Sequence, residues 1–450
     1  MSSLVAFNWD EVIYASQVRP GVEAVPMSAP RAWGMPVLIA PVAALTQSVL
    51  VFRLYLTGLA VIGLYVAFQP WLGVFAGRGS DVSAYAAPLA AGLFATLWST
   101  VLYGSMAYPN LWLAFALVAG VGWFCRALAE PGRAGPPAGV AVAFVAASLL
   151  RPTDAAALAF PLLVVCLVRL VRRSPGGLVL SGALVGGLAV GWGVWVGEAF
   201  ARYGGPIARL RSGAETNDVG IGFSLLRHLE AVDGPALLCR PAPVCSDLHW
   251  FEVSWWFVLP VLVAAGLVFA EAARPVLALA VACVVTFALP YLLLFDYANT
   301  RFMQPAYALL AIPAAAAVVR LPLRRPTMRA AVLALSAALV AHIAGQVLSL
   351  ERVTGRLTPI YDAQRAQADA LLAQGVRPPC ALVGRGAIQL GYLTGCRSVR
   401  TAEDPAPGDA QVRRAVAGDE QVVLLSRERL RVPEGWRALR VPGMSAYVRG

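Results

Sequence analysis

The sequence predicts an α-helical polytopic membrane protein of about ten transmembrane helices, followed by a small extracytoplasmic α/β domain. Of 450 residues, 59% are apolar and only 14% charged, and mean hydropathy is +0.68, more apolar than a water-facing surface tolerates. Apolar segments recur at the length of a membrane span. Near residue 350 charges return and the apolar runs shorten. The net charge of +11 does not signal a nucleic-acid partner, because the arginines are scattered singly and in pairs between apolar blocks instead of lying on one face.

A hydrocarbon core of ~30 Å takes about 20 helical residues. Segments of that kind fall at 47–68, 83–101, 108–126, 177–199, 254–272, 275–295, 302–320 and 328–349. Two shorter ones, 137–150 and 153–170, meet at Arg151-Pro152-Thr153-Asp154, where proline breaks the helix and two charges need water or a partner. A tight hairpin at one membrane face is expected there.

Short arginine-rich loops stay in the cytoplasm. With ten alternating spans, Arg78, Arg126, Arg133, Arg169, Arg172, Arg173, Arg274, Arg320, Arg324, Arg325 and Arg329 all fall on one side. The plasma membrane's outer side then receives residues 1–46, the 103–109 turn, the 151–154 hairpin, the long loop 200–253, the 296–301 turn and the domain 350–450, with the transmembrane domain spanning 47–349. Cysteine usage agrees. Cys125, Cys166 and Cys283 lie inside apolar spans as small buried hydrophobes, whereas Cys239 with Cys245, and Cys380 with Cys396, share outer segments where disulfides form or four free thiols stand. In the last domain, runs 380–383, 421–425 and 445–448 read as strands and 360–375 and 408–416 as helices. Gly384-Arg385-Gly386 before an apolar helix lacks the full dinucleotide-binding fingerprint, so no nucleotide site is assigned.

The chemistry-bearing residues begin with Asn8-Trp9-Asp10-Glu11-Val12-Ile13-Tyr14, ahead of an amphipathic segment holding Pro20, Pro26, Pro30 and Pro36. An acidic pair followed by tyrosine in the first outer loop, an Arg-Pro hairpin between short helices, a large outer loop, and Arg301-Phe302 opening a late helix near Pro305 follow in order. Over residues 8–320 this order resembles the GT-C glycosyltransferases, relatives of which include protein O-mannosyltransferases and aminoarabinose transferases. The resemblance implies an inverting enzyme that moves a sugar, mannose or another hexose or pentose, from a polyprenyl-phosphate carrier to a glycan, lipid or protein acceptor. It implies Asp10 as general base, with Glu11 beside it in the catalytic pair and Glu11 and Tyr14 orienting Asp10 or the sugar. It also implies arginine on the lipid phosphate: Arg301 first, Arg151 second, then Arg202, Arg209 and Arg211 of the outer loop. Asn110, in Tyr108-Pro109-Asn110, stands where relatives carry aspartate, and a neutral amide is a poorer ligand for a hard cation. No metal or other cofactor is therefore assigned, and a divalent metal is disfavoured. Seven residues precede Asn8, too few to cross a bilayer, where GT-C enzymes carry a helix. The sequence thus predicts either an upstream span or a remnant.

Plainer roles compete. Arg301 is also placed to snorkel toward headgroups, and Arg151 to pair with Asp154. His249, beside Asp247, Trp250 and Glu252, is a candidate for sugar or metal, with Trp250, Trp255 and Trp256 as an interfacial belt. His342 reads as structural. Tyr203-Gly204-Gly205 and Glu215-Thr216-Asn217-Asp218 are expected to shape the acceptor site. The competing functions are a transporter or flippase of lipid-linked substrates and a non-catalytic scaffold. The spans are nearly free of central charge, Arg53 lies near a span end and no internal repeat appears, which counts against transport.

Overall fold

The computed structural model describes residues 7–449 apart from 22, 47, 78–79, 235–247, 321–324, 400–409, 419 and 427–433. The Cys239 and Cys245 pair, Asp247, Arg78 and Arg324 lie outside the described residues.

The chain opens with α1 (Trp9–Ser16) and α2 (Gly34–Ala43) and then enters the bundle through α3 (Val49–Ala76). There follow α4 (Ala86–Ala95), α5 (Trp98–Tyr103), α6 (Pro109–Ala129), α7 (Gly135–Leu150), α8 (Pro152–Val171) and α9 (Gly177–Tyr203). The long loop holds α10 (Pro206–Thr216) and α11 (Leu225–Val232), and the bundle resumes with α12 (Trp250–Phe269) and α13 (Arg274–Leu293). A 3-10 turn (Thr300–Met303) leads into α14 (Gln304–Arg320) and then α15 (Arg325–Ala373). Among the described residues eight helices are long and apolar enough to cross a membrane, α7 and α4 being shorter apolar helices. The protein is a multi-pass membrane protein. Helices α6 and α14 are buried over most of their length and form the bundle's centre, while α3, α12 and α15 present apolar faces outward to lipid.

Two elements depart from the sequence reading. The span expected at 83–101 is broken at Thr96–Leu97 into α4 and α5. A break inside the bundle frees backbone groups that must find partners. Gln346 Oε1 of α15 accepts from the Trp98 amide at 2.9 Å, and His342 Nε2 lies 3.3 Å from Thr96 Oγ1, which gives His342 a structural task. The second departure is α15, 49 residues long, which crosses position 350 without interruption and absorbs the helix expected at 360–375. By contrast the 151–154 hairpin is as read: Arg151 is extended and Pro152 opens α8 at its first position, where proline's missing donor costs nothing.

Close helix approach is made by small residues, as in membrane interfaces generally. A Cβ at Gly266 of α12 would fall 2.1 Å from the Pro313 carbonyl oxygen of α14. Charged groups collect at the two bundle ends. One end gathers Asp81 with Arg320 at 3.5 Å, Arg126 and Arg133 on Glu130, and Arg274. The other holds the start of α3, the 103–109 turn, the 151–154 hairpin and the start of α14.

After α15 come β1 (Cys380–Gly384), α16 (Ala387–Thr394), β2 (Arg397–Val399), α17 (Ala410–Val416), β3 (Gln421–Ser426), β4 (Arg437–Val441) and β5 (Met444–Arg449). They form one mixed sheet in the order β2-β1-β3-β5-β4, parallel across β2, β1 and β3 and antiparallel beyond. The short β2 and the polar-faced β4 escaped the sequence reading because neither carries an apolar run. Cys380 and Cys396 form a disulfide across β1–α16–β2. Cys125, Cys166 and Cys283 are free and buried. Tyr392 and Ile388 of α16 join the main bundle core, so the sheet domain sits directly on α1.

Candidate active site

Helix α1 begins at Asn8, whose amide donates to Glu11 Oε2 at 2.9 Å in a capping box. Glu11 is fully buried and forms a two-pronged pair with Arg53 of α3, itself fully buried; the prong between Arg53 Nη2 and Glu11 Oε2 measures 2.8 Å. Glu11 Oε1 also accepts from the Ala107 amide at 2.8 Å, and Arg53 donates to the Ser105 carbonyl at 2.7 Å. The second acid of the pair is therefore turned inward and locks α1 to α3 and the 103–109 turn.

Asp10, one residue earlier, points the other way. Its carboxylate bridges two arginines: Oδ1 accepts from Arg31 and Oδ2 from Arg301 at 3.1 Å. All three side chains are about one-fifth exposed, so the cluster is open at one face. Arg301 is held from behind. Its amide donates to Asn299 Oδ1 at 3.1 Å, and the same oxygen accepts from the Tyr103 hydroxyl at 3.1 Å, while the guanidinium stacks 4.0 Å over the Tyr108 ring. Arg151 pairs with Asp154 at 2.6 Å, and Tyr291 donates to Asp154 at 2.7 Å. Tyr14 is buried within the field of Asp10, Arg31, Arg151 and Arg301.

Burial opposes the charge on Asp10, but Arg301 and then Arg31 outweigh it and leave the carboxyl below its ordinary 3.8. Burial pushes the Tyr14 hydroxyl up, keeping it a proton donor. Arg31, Arg301 and Arg151 against Asp10 and Asp154 leave one net positive charge here. Such an excess favours an anion over a cation by simple Coulomb attraction. The site suits a divalent cation poorly, since Asp10, Glu11 and Asp154 are each already paired with arginine, and among the described residues no three His, Cys, Asp or Glu side chains converge.

The structure thus gathers Asp10, Tyr14, Arg301 and Arg151 at one face, with Glu11 beneath. Asn110 is buried nearby in the first turn of α6, its Nδ2 without a hydrogen-bond partner. His249 belongs to a separate cluster: Nδ1 lies 2.9 Å from Asp233 Oδ2, and Arg352 of α15 contacts His249, Asp233 and Glu252. Of the loop arginines, Arg211 is exposed and Arg202 faces Glu198 at 3.4 Å. Arg209 is fully buried; it donates to the carbonyls of Ala29 at 3.1 Å, Arg31 at 2.8 Å and Trp195 at 2.7 Å, and it faces Glu198 at 2.9 Å. It fixes the backbone that carries Arg31. Arg31, Tyr103, Tyr108 and Asn299 were missed by the sequence reading. Arg31 sits in the proline-rich stretch with no local motif, and Tyr103 and Tyr108 were legible only as part of an outer turn at 103–109.

The chain is thus a helical membrane bundle with an arginine-bridged aspartate at one end and a small sheet domain over it. No protein-family model matches the sequence, and no curated protein matches it. Solved structures do. ArnT from Cupriavidus metallidurans bound to undecaprenyl phosphate superposes with a TM-score of 0.65 at 15% identity, over 99% of this chain and 95% of that one. The same protein in the apo state gives 0.58 at 13% identity, over 99% and 94%. The Archaeoglobus fulgidus oligosaccharyltransferase tethered with an acceptor peptide containing the NVT sequon gives 0.50 at 13% identity, over 94% of this chain and 65% of that one.

Proposed function

We propose that the protein is an inverting membrane glycosyltransferase that moves a sugar from a polyprenyl-phosphate carrier to a hydroxyl of a glycan, lipid or protein acceptor, on the extracytoplasmic face. The observation that carries this is the Asp10 carboxylate bridging Arg31 and Arg301 at an open, net-positive face. Support comes also from the fold shared with ArnT, whose structure holds undecaprenyl phosphate.

A sugar phosphate already has a good leaving group. The protein must take a proton from the acceptor and hold the charge that departs. When the donor phosphate engages the Arg301 and Arg31 guanidiniums, it displaces the carboxylate between them and removes the interaction that lowers Asp10's pKa. Asp10 then becomes a better base as the donor binds. The acceptor oxygen forms its bond to the anomeric carbon, its proton passes to Asp10, and the carbon–phosphate oxygen bond breaks to release polyprenyl phosphate against the arginines. Arg151 and Tyr14 flank the same face. Glu11 acts through Arg53 as a positioning residue.

Transfer from a labelled polyprenyl-phospho-sugar pool into membrane products, compared between wild type and Asp10→Asn at matched expression, tests this. Loss of a product band in the variant alone is expected. A band that persists removes Asp10 from the base role, and a wild type indistinguishable from membranes lacking the protein overturns the transferase.

A further inference from the structure

Between Asp218 and Arg227 the outer loop carries eight uncharged residues, Val219-Gly220-Ile221-Gly222-Phe223-Ser224-Leu225-Leu226. Alternate residues of this stretch face the end of α13. The amides of Gly220, Gly222 and Ser224 donate to the carbonyls of Leu294, Leu293 and Leu292, each at 3.0 Å, and Ser224 Oγ donates to the Tyr291 carbonyl at 2.8 Å. A helix leaves its last four carbonyls without intrahelical donors, and here all four are satisfied by one segment. The intervening side chains are turned away. Ile221 is 100% exposed and Phe223 71%, and just beyond them Leu226, in the first turn of α11, is 67% exposed.

The level of this segment follows from its partner. Helix α13 is the most apolar of the spans, and its outward residues Leu289, Leu293 and Leu294 remain exposed through its last turn. Such a surface is stable only against lipid, so hydrocarbon reaches that turn. A segment hydrogen-bonded to the same turn stands at the rim of the hydrocarbon, and large exposed apolar side chains there have an apolar solvent beside them.

We propose that residues 219–226 form an interfacial finger whose Ile221, Phe223 and Leu226 side chains insert into the acyl-chain boundary of the bilayer leaflet next to the Asp10 site. Its partner is phospholipid. Asp218 and Arg227 bracket it at headgroup level. The finger caps α13 just before the 3-10 turn that carries Arg301, so lipid contact steadies the approach to the site from the membrane. Lipid contact requires no transfer chemistry, and its test is separate from the transfer assay.

The test labels Ile221→Cys and Phe223→Cys with an environment-sensitive fluorophore in nanodiscs of phosphatidylcholine and phosphatidylglycerol, with the unsubstituted protein as labelling blank. Lipids bearing a doxyl quencher shallow in the acyl chain should remove most of the emission at both positions and more than deep doxyl lipids do. Emission unaffected by either overturns the finger. Independently, a photoreactive phenylalanine analogue at Phe223 should cross-link to phospholipid in native membranes; cross-links to polypeptide alone would assign the surface to a protein partner and overturn the proposal.

Discussion

Asp10 and Glu11 are adjacent in sequence and opposite in task, because one faces two half-open arginines and the other a fully buried one. Removing one partner of a buried pair strands the other charge, at a cost of about 3–5 kcal/mol. Glu11→Gln is therefore expected to lower the thermal unfolding temperature sharply in nanodiscs, and Glu11→Leu combined with Arg53→Met to recover much of the loss. Asp10 has a different signature. Its folded pKa lies below the unfolded value, so its ion pairs stabilise the protein above that unfolded pKa and are lost as pH falls through the folded one. The stability gap between wild type and Asp10→Asn should be full at neutral pH and close below about pH 4. An unchanged gap at low pH would show that the arginines gain nothing from the carboxylate. Arg301→Ala should lower kcat by about 10²–10³-fold, the scale of removing one donor from a charge-stabilising site. The acidic pair and Arg301 were legible in the sequence as types in an order. Their pairing was not, since Asp10 meets Arg31 and Arg301 at separations of 21 and 291 residues, and nothing local marks Arg31.

At the level of elements, the sequence states helix ends more clearly than helix breaks. Pro152 after an apolar run ends α7 and starts α8 by simple backbone rules, and the structure follows them. The break between α4 and α5 has no proline or glycine to announce it. It is sustained by Gln346, some 250 residues away, which accepts from the freed Trp98 amide, while His342 holds the Thr96 side chain. Gln346→Ala leaves the buried Trp98 amide unpaired and should cost about 1–3 kcal/mol, readable in thermal unfolding. Gln346→Glu, which keeps an acceptor, should lose less. The outer loop gives a second case. Arg209, a candidate for phosphate by charge alone, is instead buried among three carbonyls, so Arg209→Lys should weaken transfer through Arg31 while leaving the α9 span intact. Equal donor KM and kcat to wild type would show that the backbone of 29–31 holds itself.

Over the whole molecule, the proposed orientation puts the end that gathers Arg126, Arg133, Arg274 and Arg320 in the cytoplasm and the Asp10 end outside, because short arginine-rich loops stay in the cytoplasm. Alkaline phosphatase fused after residue 450 should be active, and the same fusion after residue 173 inactive; the reverse pattern would invert the proposed orientation. The sheet domain is seated on α1 by aromatic contacts, with Phe7 between Phe52 at 4.8 Å and Tyr392 at 4.9 Å, and Arg19 donating to the Tyr392 carbonyl at 2.8 Å. The 49-residue helix α15 ties that domain to the membrane. At 1.5 Å per residue it is roughly 74 Å long, and with ~30 Å in hydrocarbon about 40 Å stands beyond it. Such a shaft is a lever with the bilayer as its fulcrum. Each degree of tilt at the membrane moves the far end by roughly 0.7 Å over that length, and tilt answers to bilayer thickness. Tyr361 rides on the shaft, 3.5 Å from the Asn8 side chain at the cap of the acidic helix. If that motion reaches the acidic helix, the proposed transfer, measured in nanodiscs of different acyl-chain length, should change with bilayer thickness; a rate independent of chain length would show that the shaft moves without Asp10.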